Sequence, residues 1–187
     1  TYITATNTTL NPVQGYSLYV KTGTPTYKFA GVLNTGTQQY SGLTYNTGSA
    51  NGNNGANFLG NPYPSSLDWA GLQGTYGAVY YYNGSGYVSY ISGNGGGSQF
   101  VAPMQGFFIV ANATMISNTG DKFTVSNSNR VHSSPHFYKS ASAPKANTLV
   151  LATVGESYSD KLFVNFNPEA TEGFDLQNDA YKFLAYT

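Results

Sequence analysis

The chain contains no cysteine, and its 187 residues carry only eight Lys and Arg against eight Asp and Glu. Without thiols there is no disulfide framework and no thiolate chemistry, so the core must hold the fold unaided or with a metal. The net charge is zero. A zero balance gives no basic footprint for nucleic acid, and no nucleic-acid partner is expected. No apolar run reaches the roughly 18 residues of a spanning helix, so no membrane insertion is expected. Leu, Ala, Glu and Lys do not recur at the three-to-four-residue spacing of an amphipathic helix. Charged residues make up 9% of the chain, against about a quarter in ordinary soluble domains.

Aromatic and small polar residues take the place of charge. There are 17 Tyr, 11 Phe, one Trp and 22 Gly. Such a composition suits an exported β protein whose solubility rests on amides and hydroxyls. Alternating segments predict strands over 15–20, 26–33, 78–82, 87–90, 122–125, 148–153 and 161–166, and a continuous apolar run predicts a central strand over 105–111. Asn83-Gly84-Ser85-Gly86 predicts a hairpin between the two Tyr-rich strands, because Asn and Gly tolerate positive φ. Gly- and Asn-rich stretches at 46–57 and 92–98 read as solvent-facing loops. Short strands at this spacing predict an all-β fold, a β-sandwich of jelly-roll type with antiparallel sheets and long loops. The chain reads as a single domain over 1–187. Residues 1–131 form the main body, 132–147 a crossing segment, and 148–187 supply strands that complete the sandwich. Thr1 in place of Met reads as a processed or excised piece, which leaves the compartment undetermined by any leader.

Three motifs carry a resemblance. The first runs from Asn57 through Asn61-Pro62-Tyr63-Pro64 to Asp68-Trp69. The second is Ala102-Pro103-Met104-Gln105-Gly106-Phe107-Phe108-Ile109, followed by Ser126 to Arg130 and His132. The third runs from Ser159-Asp160-Lys161-Leu162-Phe163-Val164-Asn165-Phe166 through Asn167-Pro168-Glu169 to Asp175, closing at Asp179-Ala180-Tyr181-Lys182. In this order they resemble a module of large Bacteroidetes surface proteins that sits upstream of the type IX secretion system's C-terminal sorting domain. The resemblance covers residues 57–183. It implies an exported, extracellular or cell-surface location and no catalytic role for the module. The sorting domain is not seen before Thr187, which removal on export or trimming would explain.

Each candidate residue has a structural reading beside the functional one. In Asn61-Pro62-Tyr63-Pro64 the prolines fix φ and push the preceding residues into extended geometry, and either X-Pro bond is open to the cis form. Asp68 then reads as a cap and Trp69 as a core plug, with ligand contact the lesser alternative. Tyr80, Tyr81 and Tyr82 alternate across a strand, so at least one ring faces away from the core. Tyr80, Tyr82, Tyr87 and Tyr90, with Trp69, are therefore candidates for stacking on sugar rings. Cross-strand aromatic pairing is the favoured structural reading.

Six of the eight acids lie between Glu156 and Asp179, and none precedes Asp68. Glu169, Glu172, Asp175 and Asp179 offer oxygen ligands for calcium, although the spacing is not that of an EF-hand. The alternative is a solvated loop with Asp175 and Asp179 capping turns. His132 and His136 stand four apart in a non-helical Ser/Pro stretch, where they would not share a face. Neither a metal pair nor a Ser-His-Asp arrangement follows. The carboxylate pair of a glycosidase has few options in so acid-poor a chain. The leading expectation is a non-catalytic structural or adhesive module whose partners are neighbouring modules or identical subunits. A carbohydrate-binding module and a self-assembling filament or layer subunit follow it, and an enzyme is the weakest reading.

Overall fold

The computed structural model describes residues 9–18, 23, 29–47, 55–84, 86–133, 147–155 and 159–183. Strands dominate, in antiparallel sheets with few helices, so the chain is all-β. The strands are β1 (Gln38–Ser41), β2 (Ala56–Gly60), β3 (Ser66–Asp68), β4 (Val79–Tyr82), β5 (Tyr87–Tyr90) and β6 (Phe100–Val101). They continue with β7 (Gly106–Val110), β8 (Lys122–Val125), β9 (Arg130–Val131), β10 (Thr148–Val154) and β11 (Ser159–Asn165). Two short helices, α1 (Gln73–Tyr76) and α2 (Ala113–Thr119), interrupt them. Among the described residues the sheets are β2-β7-β4-β5, β6-β3-β9, and the pairs β1-β8 and β10-β11.

The four-stranded sheet is apolar on both faces. Leu59, Phe107, Ile109, Val79, Tyr81 and Tyr90 point inward, toward Leu67, Val101, Phe123 and Val125 of the smaller sheets and Trp69 just beyond β3. This principal core is aromatic at its centre. Trp69 lies edge-on to Phe107 (5.4 Å) and stacked on Phe123 (6.1 Å). The outward face carries Tyr80, Val110, Phe108 and Tyr87, and a second, smaller core forms there beneath Phe183. Because β2 and β7 pair Gly60 with Gly106, the ring of Phe58 can lie flat over the sheet. A Cβ at Gly106 would meet that ring at 2.7 Å.

The hairpin signal at residues 83–86 is realised. Tyr82 pairs with Tyr87, Asn83 N donates to Gly86 O, and Asn83 Oδ1 accepts from Gly86 N. Gly84 supplies the positive φ, at 94°. The hairpin at the C-terminal end also forms, with Leu151 opposite Leu162. Among the described strands β10 and β11 pair only with each other, so they extend neither larger sheet. The C-terminal segment reaches the four-stranded sheet through Phe183, which stacks on Tyr80 at 4.4 Å.

Two predicted strands differ. Residues 15–18 and 29–33 have no regular strand pairing, and 19–22 and 24–28 lie outside the described residues. The chain near residue 14 instead touches the edge of β2 by a single bridge, Gln14 to Leu59. Gly15 N donates to Phe58 O, and Gly60 N to Val13 O. α2 is not anticipated by apolar periodicity; its ends are set by local chemistry. Asn112 Oδ1 accepts from Met115 N, and Gly120 ends the helix in the left-handed conformation, as such caps do.

The Asn61-Pro62-Tyr63-Pro64 segment joins the sheets, and its peptide bonds are all trans. Asn61 is buried. Its Nδ2 donates to Ser65 O (2.9 Å), Val101 O (3.2 Å) and Ala102 O (3.0 Å), and its Oδ1 accepts from Tyr63 N (3.0 Å). The backbone N of Asn61 donates to Gln105 O. The side chain thus ties the start of β3 to the end of β6, and the backbone N–H of the same residue reaches the start of β7. Asn61→Ala strands buried carbonyls, and we expect it to lower the unfolding free energy by about 3 kcal/mol. Urea denaturation should show a lower midpoint with an unchanged slope.

Candidate functional site

Trp69, Tyr80 and Tyr90, candidates for sugar stacking, are buried. Trp69 follows Asp68, whose carboxylate accepts from Ala70 N (3.0 Å) and so caps the 3-10 turn Trp69–Gly71. The indole Nε1 donates to Gly77 O (2.8 Å). Gly77 sits at φ 67°, and a Cβ there would meet Leu176 at 2.6 Å. Asp68 and Trp69 therefore serve as the cap and plug that the sequence favours, and no face of the indole is open to a ligand. Tyr80 points to the outer face as the alternation requires, but Phe183 lies across it and its hydroxyl accepts from Tyr181 N. Tyr90 faces the core. Its hydroxyl donates to Gln99 Oε1 (3.0 Å), and Gln99 Nε2 donates to Asp68 Oδ1 (2.8 Å). The expectation of a five-residue stacking platform is corrected on this point, because these three rings are buried: Trp69 and Tyr90 in the principal core and Tyr80 beneath Phe183.

Tyr82 and Tyr87 remain together at the open end of the same hairpin. Their ring centres lie 5.3 Å apart. Tyr82 is 55% exposed and its hydroxyl donates to Gly84 O. Tyr87 is half-buried, held edge-on by Phe108 (5.6 Å) and Phe183 (5.5 Å). Phe108 in turn stacks on Phe58 at 4.6 Å. The result is a continuous aromatic row across the outer face, half-buried along Phe58, Phe108 and Tyr87 and most open at Tyr82. Phe58, Phe108 and Phe183 were not singled out from sequence. Residues 106–111 are apolar throughout, so their pattern does not mark Phe108 as outward, and Phe183 meets the row from the far end of the chain.

The four carboxylates proposed for calcium do not converge. Among the described residues no group of three or more His, Asp or Glu side chains is placed to hold a metal. The Asp175 carboxylate accepts from Gln177 N (2.8 Å) and Asn178 Nδ2 (2.7 Å), and that of Asp179 accepts from Asp175 N (2.7 Å). The Gln177 amide and the Asn178 side chain hold the Asp175 carboxyl below its ordinary range. Glu169 and Glu172 are exposed to solvent. The turn-capping reading holds for Asp175 and Asp179, and the calcium site is corrected. Removing divalent ions with EDTA should leave the melting temperature unchanged, because a native-state site would stabilise the fold.

An open cleft of about 330 Å³ lies elsewhere, lined by Ser65, Asn127, Arg130, Val131 and His132. Arg130 opposes Leu67 across β9 and β3. Its Nε donates to Ser65 Oγ (2.8 Å) and its Nη1 to Asn127 Oδ1 (3.1 Å). The guanidinium lies 5.1 Å from the centre of the Tyr63 ring. His132 is exposed at the rim, and His136 is outside the described residues. The chain's single arginine, in its acid-poor part, is the signal that marks this place.

Burial raises the phenol of Tyr80 far above its ordinary range, against the hydrogen bond from Tyr181. Burial also raises Tyr63, opposed by the Arg130 charge, and Tyr90, where the Asp68 charge adds to the rise. The folded state therefore favours the neutral phenols. That stability is complete below about pH 10, the ordinary tyrosine value, and is lost as pH rises beyond it. Thermal unfolding followed with pH should show the melting temperature beginning to fall near that pH, in step with phenolate absorbance.

Comparison with family models, curated proteins and solved structures finds no match for the chain.

Proposed function

We propose that the chain is a non-catalytic structural and adhesive module of an extracellular bacterial surface protein, a sandwich of jelly-roll type taken over its full length. The observation that carries this reading is the β10–β11 hairpin. One of its faces holds Leu149, Leu151, Leu162 and Val164, between 37% and 51% exposed, with Phe166 beyond them at 64%. The opposite face holds Val150 and Phe163, which are half-buried. A Cβ on Gly96 would lie 3.7 Å from the Phe163 ring.

β10 carries neither charge nor proline over its seven residues, and its outer edge is unpaired among the described strands. Native proteins usually guard such edges with Lys, Pro or a bulge. An apolar hairpin face with an unguarded β10 edge suits burial against a neighbouring module or an identical subunit, since interfaces are depleted in Lys and Glu at their centre. The low charge, the absence of cysteine and the resemblance to Bacteroidetes surface-protein modules support an exported location.

A second reading, a carbohydrate-binding module, is favoured by the exposed Tyr82 beside Tyr87. Saturable polysaccharide binding lost in Tyr82→Ala, with the fold intact, would support it.

For the leading reading we expect sedimentation velocity over a roughly hundredfold concentration range to show association. The double variant Leu151→Lys, Leu162→Glu, which sets opposite charges across the strand pair, should remain monomeric with stability within about 1 kcal/mol of the parent. A constant monomer mass for the parent would contradict the hairpin's role in assembly.

A further inference from the structure

Among the described residues no carboxylate pairs with Arg130, the single arginine of the chain. Arg130 is half-buried, and the partners of its guanidinium, Ser65 and Asn127, are neutral. A guanidinium has five N–H donors; the two hydrogen bonds above leave three without an acceptor among the described residues. Asp68, the last residue of β3, is held by Ala70 N and Gln99 Nε2. The ion pair among the described residues, Lys182 with Asp160, joins the C-terminal segment to β11 instead.

The cation is also fixed in direction. Ser65 Oγ and Asn127 Oδ1 hold one flank, and the Tyr63 ring lies beneath it. Asn127 is itself anchored, because its Oδ1 also accepts from Gly36 N (3.0 Å). A planar fork already ordered loses less freedom when it takes a planar anion, so its remaining donors are prepared for a bidentate partner. The surrounding cleft is at the small end of ligand sites, which run from about 300 to 1,000 Å³. Its lining is hydroxyl, amide and imidazole, with Val131 as the aliphatic contribution. A single sugar ring matches that size and polarity.

The geometry points to a binding site for an acidic sugar: Arg130 takes the carboxylate, and Ser65, Asn127 and His132 offer hydrogen bonds to the ring hydroxyls. The site is separate from the Tyr82–Tyr87 pair and from the β10–β11 hairpin, so it does not rest on the reading proposed for either.

The test is a titration of the isotopically labelled full chain, followed by nuclear magnetic resonance, with sodium D-glucuronate, D-glucose, N-acetyl-glutamate and sulfate in turn. Glucuronate should shift the Arg130 Nε–H, Ser65 and Val131 signals saturably, and glucose should bind at least about tenfold more weakly. Arg130→Lys keeps the charge but not the fork, and should lose about tenfold or more in affinity. His132→Ala, at an exposed rim position, should weaken binding with the fold intact, so the result does not hang on one variant. An equal response to glucose, or no saturable response to glucuronate, would overturn the proposal. Tighter binding of N-acetyl-glutamate would identify an acidic peptide site instead, and tighter binding of sulfate a general anion site; either would also overturn it.

Discussion

The buried amide of Asn61 is the constraint on which the two larger sheets depend. The start of β3, the end of β6 and the start of β7 lie close together, and the carbonyls there face inward, away from water. Left unpaired, each would oppose folding by a free energy comparable to a lost hydrogen bond. Asn61 meets three of these carbonyls with one NH2 group and uses its own carbonyl to hold Tyr63 N. Asn57 repeats the device one strand earlier, bonding Thr44 N and O and Gly55 O. With no disulfide and few ion pairs to draw on, neutral amides inside the protein provide the cross-links. A neutral amide also avoids the desolvation penalty that a buried charge would bring.

The aromatic excess follows the same logic. Trp69, Tyr81, Phe107 and Phe123 fill one side of the four-stranded sheet, and Tyr80, Phe108 and Phe183 the other. Buried phenols keep a hydrogen-bond partner: Tyr63 donates to Val125 O, Tyr81 to Ser98 O and Tyr90 to Gln99. Tyrosine thus gives apolar area and a polar tether in one side chain. That is why most of the rings first considered as ligand platforms belong to the architecture.

Much of this was legible where the signal is local. Asn83 and the glycines beside it announce their hairpin, the 148–165 hairpin follows from alternation, and Asp68 with Trp69 reads as cap and plug. The strands β3, β6 and β9 span only two or three residues each, too short for any periodicity to register. α2 announces itself through Asn112 and Gly120 and not through its apolar residues. The burial of Tyr80 could not be read at all, since it depends on Tyr181 and Phe183, and Tyr181 is 101 positions away along the chain. Whether the four acids near the C-terminus would converge was likewise undecided by spacing. In the fold, short-range bonds to Gln177, Asn178 and the Asp175 amide satisfy Asp175 and Asp179. The Arg130 cleft draws Ser65 and Asn127 from segments far apart in the chain, so its geometry appears only in the fold.

Native-state hydrogen exchange tests most directly whether Asn61 unites the body into one cooperative unit. The account predicts that Tyr63 N, Trp69 N and the amides shared by β4 and β7 exchange with a single opening free energy equal to that of global unfolding. It also predicts that the β10–β11 hairpin, paired only with itself among the described strands, opens at a lower one. Exchange of the β6-β3-β9 sheet in a separate, lower-energy step, while the four-stranded sheet stays protected, would contradict it.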